Sequence, residues 1–273
     1  MIYQQFDLHE KGSLPGAKLT VYIQDGAEKL KIKERPLILI CPGGGYSYTS
    51  DREAEPLALS FLAKGCNAAI LRYSCEGAHY PTSLLELARS VLIIRENAEK
   101  WHIKKDAIVI QGSSAGGHLA ASFCCSWRDE LFTKELSLNT SDMLKPNGLL
   151  LCYPVITSGE HAHRDSFRNL LGERYDELVD KVSLEKAVTD AIPRTFIWHT
   201  FTDASVPVEN SLLFATALRQ HNINTELHIF PEGCHGLALA NYLTEGPEGK
   251  ELAPCCEPWI DLATTWMRYY FTA

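Results

Sequence analysis

The sequence predicts an α/β fold: a doubly wound, mostly parallel sheet with helices on both faces. Short apolar runs alternate with longer segments of helical periodicity along all 273 residues, which is the pattern of repeated strand-helix-strand units. Most of these runs are continuously apolar, as expected for parallel strands that are covered on both faces. Because no Pro-, Gly- or Ser-rich linker divides the sequence, we expect residues 1–273 to form a single domain.

Seven apolar runs are the candidate strands. They span residues 18–24, 37–41, 68–73, 107–111, 148–153, 195–199 and 225–230. In the first run, Leu19, Val21 and Ile23 alternate with other residues, and this period of two favours an antiparallel edge strand. The continuous runs are expected to be central parallel strands.

Five segments carry the periodicity of amphipathic helices. They span residues 53–64, 83–101, 116–127, 208–221 and 257–270. In the second of them, Leu84, Leu87 and Val91 recur at intervals of three or four residues and form one apolar stripe. Residues 154–193 have only weak helical signals, so we expect an insertion over the carboxyl edge of the sheet. It is either a lid or pocket wall, or an ordinary surface excursion.

Composition and charge disfavour several classes of partner. The net charge of −8 and the isoelectric point near 5.7 argue against nucleic acid and anionic membranes. No apolar run reaches the ~18 residues of a membrane span, and residues 1–7 lack the basic and apolar regions of a secretory signal. We therefore expect a cytoplasmic location. The nine cysteines show no zinc-site spacing, so we expect free thiols, no metal and no organic cofactor.

Residues 107–119 combine an apolar strand, a sharp turn and the start of a helix. The turn, Gly112 to Gly116, has the sequence Gly-Ser-Ser-Ala-Gly, which is a G-x-S-x-G motif. Small residues on both sides of Ser114 let the backbone reverse, and the adjoining helix places N–H groups and its positive dipole end beside the hydroxyl. This geometry suits a nucleophile that attacks a carbonyl. The alternative is a Gly/Ser-rich turn without chemistry.

A serine hydroxyl needs a base, and that base needs an acid to fix its tautomer. Asp203 follows the strand candidate 195–199, and His235 lies in a short Gly-flanked loop after the candidate 225–230. We therefore predict that Asp203 and His235 meet Ser114 above the sheet. Competing acids and histidines lie before a strand, inside a helix or on a strand, where structural roles are more common; they are Asp190, Glu209, His118, His199 and His228.

Residues 42–46, with the sequence Pro-Gly-Gly-Gly-Tyr, follow the strand candidate 37–41. Consecutive glycines remove side chains where backbone N–H groups must approach a developing oxyanion, so N–H groups of this loop are candidate donors. The N–H of Ala115, next to the candidate nucleophile, is another. A plain flexible turn is the alternative. Phosphate binding is disfavoured, because no Gly-Lys-Ser/Thr follows and the spacing does not fit G-x-G-x-x-G.

Together these motifs resemble the α/β-hydrolase superfamily. They are most similar to its small bacterial esterase and lipase branch, which is related to acetyl esterases, hormone-sensitive-lipase-like enzymes and acetylxylan-type carbohydrate esterases. The similarity covers nearly the whole chain in order and spacing. It implies that Ser114 is the nucleophile, His235 the general base and then acid, and Asp203 the group that orients His235. It further implies that Gly44, Gly45 and Ala115 supply the N–H groups of the oxyanion hole. It also implies a substrate pocket lined by tyrosines: Tyr46, Tyr73 and Tyr80.

The oxyanion motif departs from many lipolytic relatives, in which a histidine stands at the position of Pro42. This departure shifts the similarity toward esterases that are linked to acetylated sugars. The short stretch before residue 37 also lacks the large cap helices of many hormone-sensitive-lipase relatives. We therefore expect an open pocket and no activity on long-chain lipids.

The sequence thus predicts a serine carboxylic-ester hydrolase for short-chain acyl esters, with acetylated sugars as a candidate class, that works through an acyl-enzyme. Two alternatives stay open. One is a serine peptidase or thioesterase with the same three residues, and the other is a non-catalytic binding protein on a hydrolase scaffold. The expected partner is a small ester molecule, and a homodimer is one candidate for the oligomeric state.

Overall fold

The computed structural model describes residues 1–26 and 29–272. Its strands are β1 (Ile2–Asp7), β2 (Lys18–Ile23), β3 (Arg35–Cys41), β4 (Asn67–Arg72), β5 (Ile103–Ser113), β6 (Gly148–Cys152), β7 (Thr195–Thr200) and β8 (Thr225–Phe230). Within the described residues they form one sheet in the order β1-β2-β4-β3-β5-β6-β7-β8. The pairs β1–β2 and β2–β4 are antiparallel, and the other neighbouring pairs are parallel.

Helices cover both faces of this sheet. They are α1 (Glu55–Ala63), α2 (Thr82–Glu96), α3 (Ala115–Ser126), α4 (Glu130–Glu135), α5 (Arg164–Leu171), α6 (Tyr175–Leu178), α7 (Glu209–Gln220) and α8 (Trp259–Phe271). The core on one face contains Phe61 of α1 and Trp259 of α8, and the core on the other contains Leu87 of α2 and Phe123 of α3. The predicted fold class, a doubly wound and mostly parallel sheet with helices on both faces, is confirmed.

Parallel pairing brings the carboxyl ends of the strands to one edge of the sheet. Cys41 at the end of β3 pairs with Gly112 near the end of β5, and Thr200 at the end of β7 pairs with Phe230 at the end of β8. Every residue of β3 and β6 is buried, as expected for central strands with apolar side chains on both faces. The loops that follow these strands therefore begin side by side.

The first two strands differ from the sequence-based expectation. Segment 18–24 is antiparallel as predicted, but it is not an edge strand, because β1 pairs along its outer side. Only Ile2 and Phe6 of β1 are partly buried, so its mostly polar sequence gives no clear strand signal. The predicted helix 83–101 ends earlier, at Glu96, and the other boundaries shift by smaller amounts.

Segment 154–193 is more regular and more buried than its sequence suggests. It contains α5, α6 and three short 3₁₀ turns. Its buried apolar side chains, including Phe167 and Leu171, join the core on the α3 face of the sheet. Asn169 donates a hydrogen bond to the carbonyl of Gly45 at 2.8 Å. The segment therefore packs against the loop that follows β3.

His118, on α3, joins three parts of the chain. Its Nε2 donates to the Val182 carbonyl of segment 154–193 at 2.9 Å, and its Nδ1 accepts from the Tyr46 hydroxyl at 2.9 Å. Burial lowers the pKa of His118 to about 4, although the hydrogen bond to Val182 favours the charged form. The neutral imidazole therefore fits this site, and the protonated one does not.

We expect His118 to make the folded state sensitive to acid. Its pKa is lower in the folded than in the unfolded protein, so its stabilisation is fully present above pH ~6.5 and is lost as pH falls toward 4. Between pH 7.5 and 5, the wild type should lose about 2 kcal/mol of unfolding free energy more than His118→Gln does. Urea denaturation at both pH values measures this difference. His221→Gln, at an exposed position, is the control for the same change of residue type, and an unchanged dependence in His118→Gln would contradict the assignment.

Candidate active site

The turn between β5 and α3 holds Ser114 in a strained backbone conformation, with φ 52° and ψ −121°. A Cβ atom on Gly112 would lie 2.1 Å from the Gly116 carbonyl oxygen, and one on Gly116 would lie 2.0 Å from that of Cys41. Only glycine therefore fits at these two positions. The turn aims the Ser114 side chain out of the carboxyl edge of the sheet, where 8% of the residue is exposed.

The structure brings the three predicted residues together. Ser114 Oγ lies 2.7 Å from His235 Nε2, and His235 Nδ1 lies 2.7 Å from Asp203 Oδ2. The serine follows β5, the aspartate follows β7 and the histidine follows β8, so the aligned strand ends place all three at one edge. Since Nδ1 donates to the carboxylate, the Nε2 lone pair faces the serine hydroxyl and can accept its proton.

Four hydrogen bonds hold the Asp203 carboxylate. Oδ2 accepts from His235 and from His199 Nε2 at 3.3 Å, and Oδ1 accepts from the N–H groups of Ser205 and Val206 at 2.9 Å each. Burial by itself would raise the pKa of Asp203, but the hydrogen bonds from the two histidines and the charge of His235 outweigh it and lower the pKa. The carboxylate therefore stays ionised and can stabilise a protonated His235.

The competing residues His199, His228 and Asp190 have partners other than Ser114. His199 is buried; its Nε2 donates to the Val206 carbonyl at 2.9 Å, and its Nδ1 accepts from the Ser211 hydroxyl at 2.8 Å. His228 bonds to a glutamate of its own strand, and Asp190 is exposed beside an arginine. Sequence reasoning classed His199 as structural and missed its contact with Asp203.

The loop after β3 presents free N–H groups beside Ser114. The Gly43 carbonyl accepts from Ser50 N at 2.9 Å, and the Gly44 carbonyl accepts from Ser47 N at 3.0 Å. In a trans peptide the C=O and N–H groups point in opposite directions, so the N–H groups of Gly44 and Gly45 point away from these bonds. Within residues 1–26 and 29–272, neither N–H donates to a protein acceptor.

The predicted oxyanion donors lie on two elements, the loop after β3 and the start of α3. Gly44 has φ +125°, and a Cβ atom there would lie 2.1 Å from the Tyr48 carbonyl oxygen, so the loop needs glycine at this position. Ala115 is the first residue of α3, where backbone N–H groups have no intrahelical acceptor. The positive end of the helix dipole adds to the attraction for an anion.

Ser114 and His235 open onto a cleft of about 340 Å³. Gly44 and Gly45 line it on one side, and His163 of segment 154–193 lines it on another. Burial, followed by the charge of His235, lowers the pKa of His163, so its imidazole is neutral near neutral pH. The described residues contain no group of three or more His, Cys, Asp or Glu side chains that could hold a metal ion.

The tyrosines expected in the pocket lie elsewhere. Tyr46 and Tyr73 are buried, with both hydroxyls engaged inside the protein; that of Tyr73 donates to the Pro42 carbonyl at 2.7 Å. Tyr80 is partly buried and is not part of the cleft wall. Tyr48, which is 63% exposed, lines the cleft instead. The sequence does not determine which way each ring turns. Contrary to the expectation, Tyr46, Tyr73 and Tyr80 do not line this cleft.

Sequence reasoning also missed Glu53, whose carboxylate lies at the floor of the cleft. Its Oε2 accepts from Gly43 N at 2.8 Å, and its Oε1 accepts from the Tyr153 hydroxyl at 2.7 Å. The residue is only 4% exposed. In the sequence it belongs to the charged stretch 51–55, which resembles an ordinary polar start of a helix.

Nothing in the described part of the chain meets the requirements for a membrane-spanning helix, which are sufficient length combined with sufficient apolarity.

Comparison with known proteins identifies a family. The model of the BD-FAE family matches residues 21–218. The chain is 41% identical over 214 residues to endo-1,4-β-xylanase B of Butyrivibrio fibrisolvens, a match that covers 76% of this chain and 33% of that protein. It is 29% identical over 208 residues to the acetylxylan esterase of Xylanibacter ruminicola, covering 74% of this chain and 41% of that protein.

A solved structure shares the whole architecture. The acetyl ester-xyloside bifunctional hydrolase from Caldicellulosiruptor lactoaceticus matches with a TM-score of 0.79 and 37% identity, over 93% of this chain and 88% of that one. The chain spans only about a third to two fifths of the length of the two curated relatives. The family model covers well over half of the sequence. The chain therefore belongs to the BD-FAE family and has the α/β-hydrolase fold.

Proposed function

We propose that this chain hydrolyses short-chain acyl esters of xylan-derived sugars through an acyl-enzyme on Ser114. The observation that carries the proposal is the relay from Ser114 through His235 to Asp203, with 2.7 Å at both steps. It stands beside the N–H groups of Gly44 and Gly45, which have no acceptor within the described residues. A nucleophile, a base and an oxyanion site are the three parts that acyl transfer requires.

In the first step, Ser114 Oγ attacks the ester carbonyl carbon and His235 Nε2 takes the hydroxyl proton. The carbonyl oxygen becomes an oxyanion, which accepts from the N–H groups of Gly44, Gly45 and Ala115. Asp203 remains ionised and stabilises the imidazolium. When the tetrahedral intermediate collapses, His235 gives its proton to the departing alcohol oxygen, and the acyl group stays on Ser114.

In the second step, water attacks the acyl-enzyme. His235 removes a proton from the water, and the same N–H groups bind the second oxyanion. Collapse releases the carboxylic acid, while the proton on His235 returns to Ser114 Oγ. One water is consumed, and the serine, histidine and aspartate regain their starting states.

The sugar part of the proposal has support from the relatives and from the shape of the site. One relative is an acetylxylan esterase, and the similar solved structure is an acetyl ester-xyloside hydrolase. A second cleft of about 460 Å³ adjoins the first and shares Ser205 and His235 with it. Because His235 protonates the alcohol, a bulky sugar alcohol can extend into this second cleft.

We expect Ser114→Ala to lower kcat/KM for p-nitrophenyl acetate by at least about three orders of magnitude, because the acyl-enzyme can no longer form. Stopped assays on folded protein, verified by circular dichroism, measure this loss. Ser113→Ala is the matched control, since the Ser113 hydroxyl is buried against Gln111, and it should keep most of the activity. Wild-type turnover in Ser114→Ala would refute the role of this serine.

We expect acetylated xylo-oligosaccharides to be hydrolysed with a higher kcat/KM than p-nitrophenyl octanoate or aminoacyl anilides. The adjoining cleft accepts a sugar alcohol, and the ester leaving group needs less protonation than an amine does. Acid release, followed by titration for each substrate, measures the order, with Ser114→Ala as the background. Faster cleavage of the anilides would favour a peptidase. A preference for feruloylated over acetylated sugars would contradict the proposed short-chain acyl group.

A further inference from the structure

Glu53 is a buried carboxylate without a cationic partner in the part of the chain that the structure describes. Glu53 is only 4% exposed. Among the described residues, no Lys, Arg or His lies within salt-bridge distance of its carboxylate. Burying a carboxylate is costly unless its oxygens are satisfied by hydrogen bonds. The two groups that bond to Glu53 are therefore needed to explain its presence.

The first of these groups belongs to the oxyanion loop. Oε2 accepts from Gly43 N at 2.8 Å. The carbonyl of the same Pro42–Gly43 peptide accepts from the Tyr73 hydroxyl at 2.7 Å, so both polar groups of this peptide are held. A Cβ atom on Gly43 would lie 2.7 Å from Oε2 and 2.8 Å from Ser114 Cβ. Glycine is thus required for the carboxylate, the loop and the nucleophile to approach one another this closely.

The second group connects Glu53 to the loop that carries His235. Oε1 accepts from the Tyr153 hydroxyl at 2.7 Å, and that hydroxyl accepts from Ala238 N at 2.9 Å. The Tyr153 ring also packs edge-on against the His235 ring, with 5.2 Å between their centroids. One carboxylate therefore links the oxyanion donors on one side of Ser114 to the general base on the other.

We propose that Glu53 is a positioning residue that fixes the distance between the oxyanion N–H groups and His235, an inference that rests on the proposed ester hydrolysis. The carboxylate takes no part in the bond formation or the proton transfer proposed for Ser114 and His235. It acts through the Gly43 peptide, which precedes the Gly44 N–H, and through Tyr153, which supports His235. These donors act mainly on charge that develops in the transition state, so the loss of Glu53 should lower kcat and leave KM nearly unchanged.

The decisive variant is Glu53→Gln, tested with p-nitrophenyl acetate. The new amide can accept from only one of the two donors, and its NH₂ group faces a hydroxyl that already accepts from Ala238. We expect kcat to fall about 10- to 100-fold with KM within about threefold of wild type. Methyl trifluoromethyl ketone forms a tetrahedral adduct with an activated serine, and its inhibition constant should rise by a similar factor.

Glu55→Gln is the matched control, because Glu55 also accepts from a tyrosine hydroxyl, that of Tyr22 at 2.8 Å, away from the cleft. This control should keep wild-type kcat and the wild-type inhibition constant. If Glu53→Gln does not fold, Tyr153→Phe removes the same link while keeping the ring, and it should lower kcat with little change in KM.

A raised KM with unchanged kcat would overturn the proposal, as would an unchanged inhibition constant in folded Glu53→Gln. Equal losses in Glu53→Gln and Glu55→Gln would reduce the effect to general stability. A wild-type protein that hydrolyses no ester would refute the proposed function itself. Because this result comes from the wild type, it is distinguishable from a failure of the proposal for Glu53, which only the variants can show.

Discussion

The strained turn at Ser114 is the constraint on which the rest of the site depends. A non-glycine residue with positive φ costs of the order of 1–3 kcal/mol, and the surrounding structure holds it in place. Ser114 N donates to the Cys152 carbonyl at 3.0 Å, and the Ser114 carbonyl accepts from Val155 N at 3.0 Å. The first bond reaches the last residue of β6, and the second reaches the segment that follows this strand. Ser114 is therefore fixed by the chain around the end of β6 as well as by its own turn.

This anchoring allows the partners of Ser114 to act from separate loops. The loop after β3 directs its peptides through backbone bonds, through Asn169 and through Glu53. His235 is held by Asp203, whose carboxylate accepts four hydrogen bonds. Donors and acceptors that are already in place need no reorganisation when charge develops, which is the main source of electrostatic catalysis. The site thus combines the strained Ser114 with loops that other hydrogen bonds hold in place, while the N–H groups of Gly44 and Gly45 have no acceptor within the described residues.

The sequence predicts those features of the fold and of the site that a few neighbouring residues encode. A G-x-S-x-G turn between a strand and a helix, or a histidine in a Gly-flanked loop after a strand, is visible in a few residues. The parts that it missed depend on contacts between distant residues. Glu53 meets Tyr153 across 100 positions, and the ring of Tyr46 turns inward toward a helix 72 residues away. The polar strand β1 is recognisable only because β2 pairs with it.

Mapping a covalent adduct tests the proposed role of Ser114 as the nucleophile most directly. A fluorophosphonate reacts with an activated serine nucleophile, and tandem mass spectrometry of the digested protein locates the modified residue. We expect modification of Ser114, with Ser113 in the same peptide left free, and slow modification when His235 is replaced by alanine. An unmodified Ser114 in protein that still hydrolyses esters, or an adduct on another residue, would contradict this role.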